Sequence, residues 1–377
     1  MKFTVEANEL KRVMSIIEII SKDAMSMKSN SSSNTQIEAL FYVKKNKLVL
    51  QSTEEGLFYI RASCSAEVDS QGKSIIDISN LQKFNFRSNK VTLEEKGNRL
   101  LVSCGRLRSQ ISAKTGDAVD EKLEKESKSD EFIVLPCKEL SEVRDWVIFS
   151  SIDSEIENSL PFVLSVKDKE VYATSNDHFC LSMMKVGNFK GKVKLNDLKY
   201  LPEGILSQVL SRTLDKDVSI GFGQEQFIIK TSDITLKYPQ PQYTIADVHE
   251  AISGLRSQKS ELSFVFNPSD LYNAIDEVAS VIDDSETTIV LEIKKSKLYV
   301  SASGNRGKAK SFTNISKTKG KKKTFSAIYN IFSSFIGHIT SEEECKLNIS
   351  NDVILFEVRK GEVTYAIPVA EYEGDNE

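Results

Sequence analysis

Apolar and polar residues alternate with a period of two over much of the chain, and short stretches of helical period interrupt the alternation. Leu40–Thr53 (LFYVKKNKLVLQST) is an apolar strand, a lysine-rich turn and a second alternating strand, which predicts a β-hairpin. Leu164–Ser175 (LSVKDKEVYATS) and Leu291–Ser303 (LEIKKSKLYVSAS) repeat the pattern. Their anchors Val43, Val166 and Ile293 lie 123 and 127 residues apart. A second hairpin pattern starts at Val91 (VTLEEKGNRLLVSC), Val218 (VSIGFGQEQFIIKT) and Leu347 (LNISNDVILFEV), at spacings of 127 and 129. A third passage, a glycine-lysine strand end running into an amphipathic segment, starts at Gly72, Gly191 and Gly320.

A one-face helix precedes each first hairpin. Asn8 is placed to cap a helix with the apolar stripe Leu10, Val13, Met14, Ile17 and Ile20. Leu140, Val143, Val147 and Ile148 form the second stripe, after Pro136. Leu271, Ala274, Ile275, Val278 and Ile282 form the third, with Asn267-Pro268-Ser269 as its start signal. Three agreements at nearly one spacing predict three homologous units of roughly 125 residues. Asp120–Glu131 and about Val248–Glu261 read as links between them. Antiparallel strands with two helices per unit predict an α+β layered fold. An arc of such units leaves a sheet edge at each end, and a repeated head-to-tail contact covers both.

The composition excludes several function classes. The 377 residues carry 50 Lys+Arg against 54 Asp+Glu, a net charge of −4, so the chain is not a basic-all-over nucleic-acid binder. No apolar run is long enough to span a membrane, MKFTVEANELKR lacks a secretory pattern, and the scattered, odd-numbered cysteines point to a reducing cytoplasm. Five scattered cysteines with no CxxC argue against a disulfide framework or zinc site. Three histidines, His178, His249 and His338, form no metal or nucleophile motif, and the glycines form no phosphate loop. The expectation is a non-enzyme without cofactor or metal.

Several passages then match a known family in order. MKFTVEANEL, Leu100–Ser112 (LLVSCGRLRSQIS), Val171–Met184 (VYATSNDHFCLSMM), Lys237–Val248 (KYPQPQYTIADV) and Thr364–Val369 (TYAIPV) resemble segments of the bacterial DNA sliding clamp, the beta subunit of DNA polymerase III. The resemblance covers nearly the whole chain. It implies clamp domains at 1–127, 128–254 and 255–377, and a head-to-tail homodimeric ring with helices lining the pore and sheets outside. Such a ring encircles duplex DNA without sequence preference, is opened by a clamp-loader ATPase, and tethers a replicative DNA polymerase. A three-domain scaffold that kept the fold without encircling DNA is the alternative, and a hydrolase on the same scaffold is a third reading.

The resemblance also implies sites. A groove for partner peptides would use Leu160, Thr174, His178, Phe179, Pro241, Ile245, Ala246, Leu355, Ile367, Pro368 and Val369. His178 and Ile245 stand where the family has arginine, and an acidic tail, Glu371–Glu377, follows. Lys11, Arg12, Lys22, Lys28, Lys83, Arg87, Lys138, Arg144, Lys194 and Lys199 would face DNA from the first four helices and the stretch after the first, while Asp270, Asp276 and Glu277 on the fifth break a uniform basic lining. Lys317–Lys323 is the densest basic run. The subunit contact would set Arg106, Arg108 and Ile111 against Val281 and Ile282, with Ser109 where the family has an aromatic residue. These departures suit a viral or plasmid-borne member.

Overall fold

The computed structural model describes residues 1–27, 37–54, 58–114, 131–148, 161–167, 170–176, 180–186, 190–191, 198–222, 226–239, 247–282, 287–321, 323–350 and 352–370. One series of elements runs through them three times. The first is β1 (Lys2–Glu6), α1 (Ala7–Met27), β2 (Glu38–Lys44), β3 (Lys47–Glu54), β4 (Phe58–Ser65), β5 (Glu67–Ser70), β6 (Gly72–Asp77), α2 (Ile78–Gln82), β7 (Lys90–Lys96), β8 (Arg99–Cys104) and β9 (Leu107–Ser112). The second is β10 (Glu131–Pro136), α3 (Cys137–Val147), β11 (Pro161–Lys167), β12 (Glu170–Asn176), β13 (Leu181–Lys185), β14 (Lys190–Gly191), β15 (Leu198–Pro202), α4 (Glu203–Arg212), β16 (Asp217–Phe222), β17 (Gln226–Lys230) and β18 (Ile234–Pro239), followed by α5 (Val248–Ser257). The third is β19 (Leu262–Phe266), α6 (Pro268–Val278), β20 (Thr288–Lys294), β21 (Lys297–Gly304), β22 (Gly307–Gly320), β23 (Thr324–Ile328), α7 (Tyr329–His338), β24 (Cys345–Ser350), β25 (Val353–Val358) and β26 (Val363–Pro368).

The chain forms two compact units, and the division falls inside the second series. The first unit (Met1–Ser141, Asn188–Lys194, Gly204–Tyr243) holds a five-stranded sheet, β5-β1-β7-β8-β9, and a nine-stranded one, β14-β10-β16-β17-β18-β4-β3-β2-β6. Helix α1 packs on β3 and β4, and Leu10, Val13, Met14 and Ile17 of the helix and Leu48, Leu50 and Ile60 of the strands are buried. The second unit (Glu142–Gly187, Leu195–Glu203, Thr244–Glu377) holds a twelve-stranded sheet, β15-β11-β12-β13-β26-β25-β24-β19-β22-β21-β20-β23. Phe335 anchors its core, with Phe356 and Tyr365 at ring-centroid distances of 4.3 and 4.9 Å. Burying one such ring is worth about 2–3 kcal/mol.

The hairpins of the three series lie where the pattern puts them, and so do the first helices except at their ends: α1 runs on to Met27 and takes in Lys22, and α6 stops at Val278, short of Ile282. Asn267 caps α6, its side chain accepting from the Asp270 N–H, with Pro268 in the first turn. Four readings need correction. Asn8 lies one residue inside α1 and is not its cap. The segment read as a link from Val248 is mostly helix: Asp247 accepts from the Glu250 N–H, and Val248 and Ile252 are buried against Met183, Tyr172 and Leu181. Lys199 belongs to a strand, β15, and not to a fourth helix. Lys83 is the C-cap of α2, whose five residues are too few to carry Arg87.

Candidate functional site

The same strand seam is built twice. In the first unit β18 pairs antiparallel with β4, Ile234 opposite Ala62. The residue before β18 is Asp233. Its carbonyl accepts from the Ser63 N–H at 2.8 Å, and its Oδ1 accepts from the hydroxyls of Thr213 at 3.1 Å and Thr231 at 2.8 Å. Its Oδ2 takes Nη1 of Arg12, which reaches over from α1. Arg12 also donates to Glu9 at 2.8 Å and to the Arg212 carbonyl at 3.1 Å. The Arg12 and Asp233 side chains are only 14% and 11% exposed. Burial works against the charged guanidinium, but the bonds to Glu9 and Asp233 outweigh it and raise its pKa.

In the second unit β26 pairs antiparallel with β13, Val363 opposite Met184. The carbonyl of Glu362, just before β26, accepts from the Lys185 N–H at 3.4 Å, matching the Asp233–Ser63 bond. Arg359, from the same turn, bridges to Glu142 on α3 at 2.7 Å and lies 5.4 Å from the Trp146 ring centroid. Both seams therefore join a hairpin turn to a helix by an ion pair, with the signs exchanged.

His338 of α7 is half-buried beside the second seam, its ring edge-on to Trp146 and Tyr365 at 5.7 and 6.2 Å. Burial lowers its pKa, opposed by a hydrogen bond to the Trp146 backbone. The unfolded chain takes a proton near pH 6.5 and the folded one resists it, so stability falls as the pH drops below that value and is unaffected above it. His338→Phe keeps the ring and removes the proton site. We expect the variant to lose less stability than the parent between about pH 7 and pH 5 in urea titrations; equal losses would refute the assignment.

Two sheet edges have the same form as the seams but no strand across them among the described residues. One is β9, the last strand of its sheet. The other is the Gly307–Asn314 half of β22, which has β21 on one side only. With β21 this half forms a basic-aromatic face, Lys310 and Phe312 exposed and Lys297 and Tyr299 half-buried. Lys297 Nζ lies 3.7 Å from the Phe312 ring centroid and Lys310 Nζ 4.8 Å from that of Tyr299. Arg106 and Arg108 are exposed at β9, and Ile111, Val281 and Ile282 are half-buried.

Of the groove residues, Thr174, Leu355 and Ile367 are buried, Val369 is half-buried and Pro368 is exposed. Leu355 borders a small polar hollow of about 100 Å³ shared with Arg256, Lys346 and Glu357. Of the cations expected to face DNA, Lys11, Lys83, Arg87 and Lys138 are exposed. Arg12 is held by two carboxylates and Arg144 pairs with its neighbour Asp145, so neither presents a free charge. Lys317 pairs with Glu344. Leu160, His178, Phe179, Pro241, Ile245, Ala246, Lys28 and Lys194 lie outside the described residues, as do the side chains of Lys22 and Lys199. The seam pairs Arg12–Asp233 and Glu142–Arg359 went unread in the sequence, because nothing local links residues more than 200 positions apart. Among the described residues no group of His, Cys, Asp or Glu is placed to hold a metal, and no helix is long and apolar enough to cross a membrane.

By sequence the chain matches no protein-family model and no curated protein. By structure it is similar to a putative DNA polymerase III beta subunit from Eubacterium rectale, at 17% identity and TM-score 0.78 over 99% of this chain and 100% of that one. It is likewise similar to the DNA polymerase III beta subunit of Thermotoga maritima, at 15% identity and TM-score 0.76 over 98% and 99%. A Pseudomonas aeruginosa sliding clamp bound to griselimycin matches at 15% identity and TM-score 0.75 over 99% and 100%. The chain has the α+β sliding-clamp fold.

Proposed function

We propose that this chain is a DNA sliding clamp, a non-enzymatic processivity factor. Its domains are 1–127, 128–254 and 255–377, and two copies close head to tail into a ring around duplex DNA. The observation that carries this reading is the seam made twice within the chain, with one complementary half of a third left at each end. The three hairpins set Leu50 opposite Ala62, Ala173 opposite Met184 and Val300 opposite Ser311. Ile234 faces Ala62 and Val363 faces Met184, so Leu107, the first residue after the β8–β9 turn, is the counterpart that faces Ser311 of a second copy. Completing both edges this way closes a two-fold head-to-tail ring.

Exposed Lys11, Lys83, Arg87 and Lys138 supply positive charge without base-reading side chains, which suits binding that slides. The groove around Pro368 and Val369 takes the apolar anchors of polymerase and other replication proteins, a clamp-loader ATPase opens the ring, and the protein works on DNA in the cytoplasm. Protein loaded on nicked circular DNA is expected to stay bound through gel filtration in high salt and to be lost once the DNA is cut. Equal retention on both forms would overturn the ring.

A further inference from the structure

The two internal seams give a rule for the third. Counting from the buried leucine in the first turn of each leading helix, Leu10, Leu140 and Leu271, the residue two positions on is Arg12, Glu142 and Asn273. In the first seam Arg12 meets Asp233 of a hairpin turn, and in the second Glu142 meets Arg359 of a hairpin turn. The corresponding turn at the chain's open edge, between β8 and β9, is Gly105-Arg106. The third seam therefore brings a turn arginine to a helix position that is a neutral amide. Asn273 is exposed, as are Asp270 and Asp276, three residues before and after it on α6. The register that sets Leu107 opposite Ser311 also sets Arg108 opposite Lys310, a like-charge cross-strand pair.

We propose that Asn273 is the position that receives Arg106 of a second copy, and that the missing carboxylate there makes the closing seam weaker than the two internal ones. Asp270 and Asp276 flank the incoming guanidinium without holding it at one point. The consequence is that the closing seam carries one ion pair fewer than the Arg12–Asp233 and Glu142–Arg359 seams. This inference rests on the ring reading above.

The test is the dimer dissociation constant of the full-length protein, measured by sedimentation over a dilution series. Asn273→Glu rebuilds the Glu142–Arg359 arrangement. Each ring contains the seam twice, so about a tenfold tightening is expected, and it should shrink as salt is raised. Asn273→Arg is expected to loosen the dimer by a similar factor, and Asn273→Arg combined with Arg106→Asp, which copies Arg12–Asp233, to restore it. Position 273 is exposed, and an unchanged thermal midpoint at monomeric concentrations shows that each variant is folded. If the protein dimerises but the glutamate and arginine variants share its dissociation constant, the seam assignment is wrong and the ring stands. If the protein stays a single chain at every concentration, both fall.

Discussion

Replacing Arg12 by alanine is expected to cost about 3 kcal/mol of stability. The side chain is four-fifths or more buried and gathers Glu9, Asp233 and the carbonyls of Arg212 and Ser63 around one guanidinium. Alanine leaves Asp233, 11% exposed, and the partly exposed Glu9 without their shared cation, and an uncompensated, mostly buried charge is what makes breaking such a pair expensive. The Thr213 and Thr231 hydroxyls hold only one oxygen of Asp233. Adding Asp233→Asn to Arg12→Ala should return part of the loss, and the urea midpoints of the two single variants and the double variant give the coupling directly. A change below about 0.5 kcal/mol for Arg12→Ala would mean that the seam is solvated and its ion pair is ornamental.

Gly320→Ala is expected to be comparably damaging, again about 3 kcal/mol. Gly320 ends β22 opposite Leu262 with φ at +106°, a region that suits glycine. A methyl group there would sit 2.1 Å from the Glu261 carbonyl oxygen and 2.9 Å from the Leu262 Cα, so the backbone itself has to move. Gly254 is the control. It lies within α5 with nothing within 4 Å of an added Cβ, and Gly254→Ala should leave stability unchanged or raise it by up to about 1 kcal/mol. Thermal midpoints of the two variants, measured side by side, separate a close backbone approach from a general dislike of alanine. Equal midpoints would remove the steric argument.

Legibility followed the range of the interaction. Asn267-Pro268 announced α6 because capping is a matter of adjacent residues. The hairpins at Lys44–Lys47, Lys167–Glu170 and Lys294–Lys297 were readable because a strand pair joined by a short turn fixes its own register. Helix α5 was missed although Asp247 and Glu250 stand at the spacing of a capping pair. Its stripe is only Val248, Ile252 and Leu255, too short to stand out against serines and a glycine, and its burial depends on Met183, Tyr172 and Leu181 of distant strands. Arg12 was misjudged for the same reason. A cation on the polar side of a helix looks solvated until the fold brings Asp233 to it.

The sequence by itself determined the repeat: three near-equal copies of strand, turn and amphipathic helix, because side-chain alternation and capping act within a few residues and are written where they act. It also supported the resemblance from which the clamp fold was expected. Only the tertiary structure decided which edges are joined. Pairing β18 with β4, and β26 with β13, brings together residues more than 170 positions apart, and strand patterns that are alike in all three copies do not say which partners which. The charges do distinguish them. Arg12 with Asp233 and Glu142 with Arg359 mark the two closed seams with opposite signs, a difference that appears only once the backbone has set each turn against its helix.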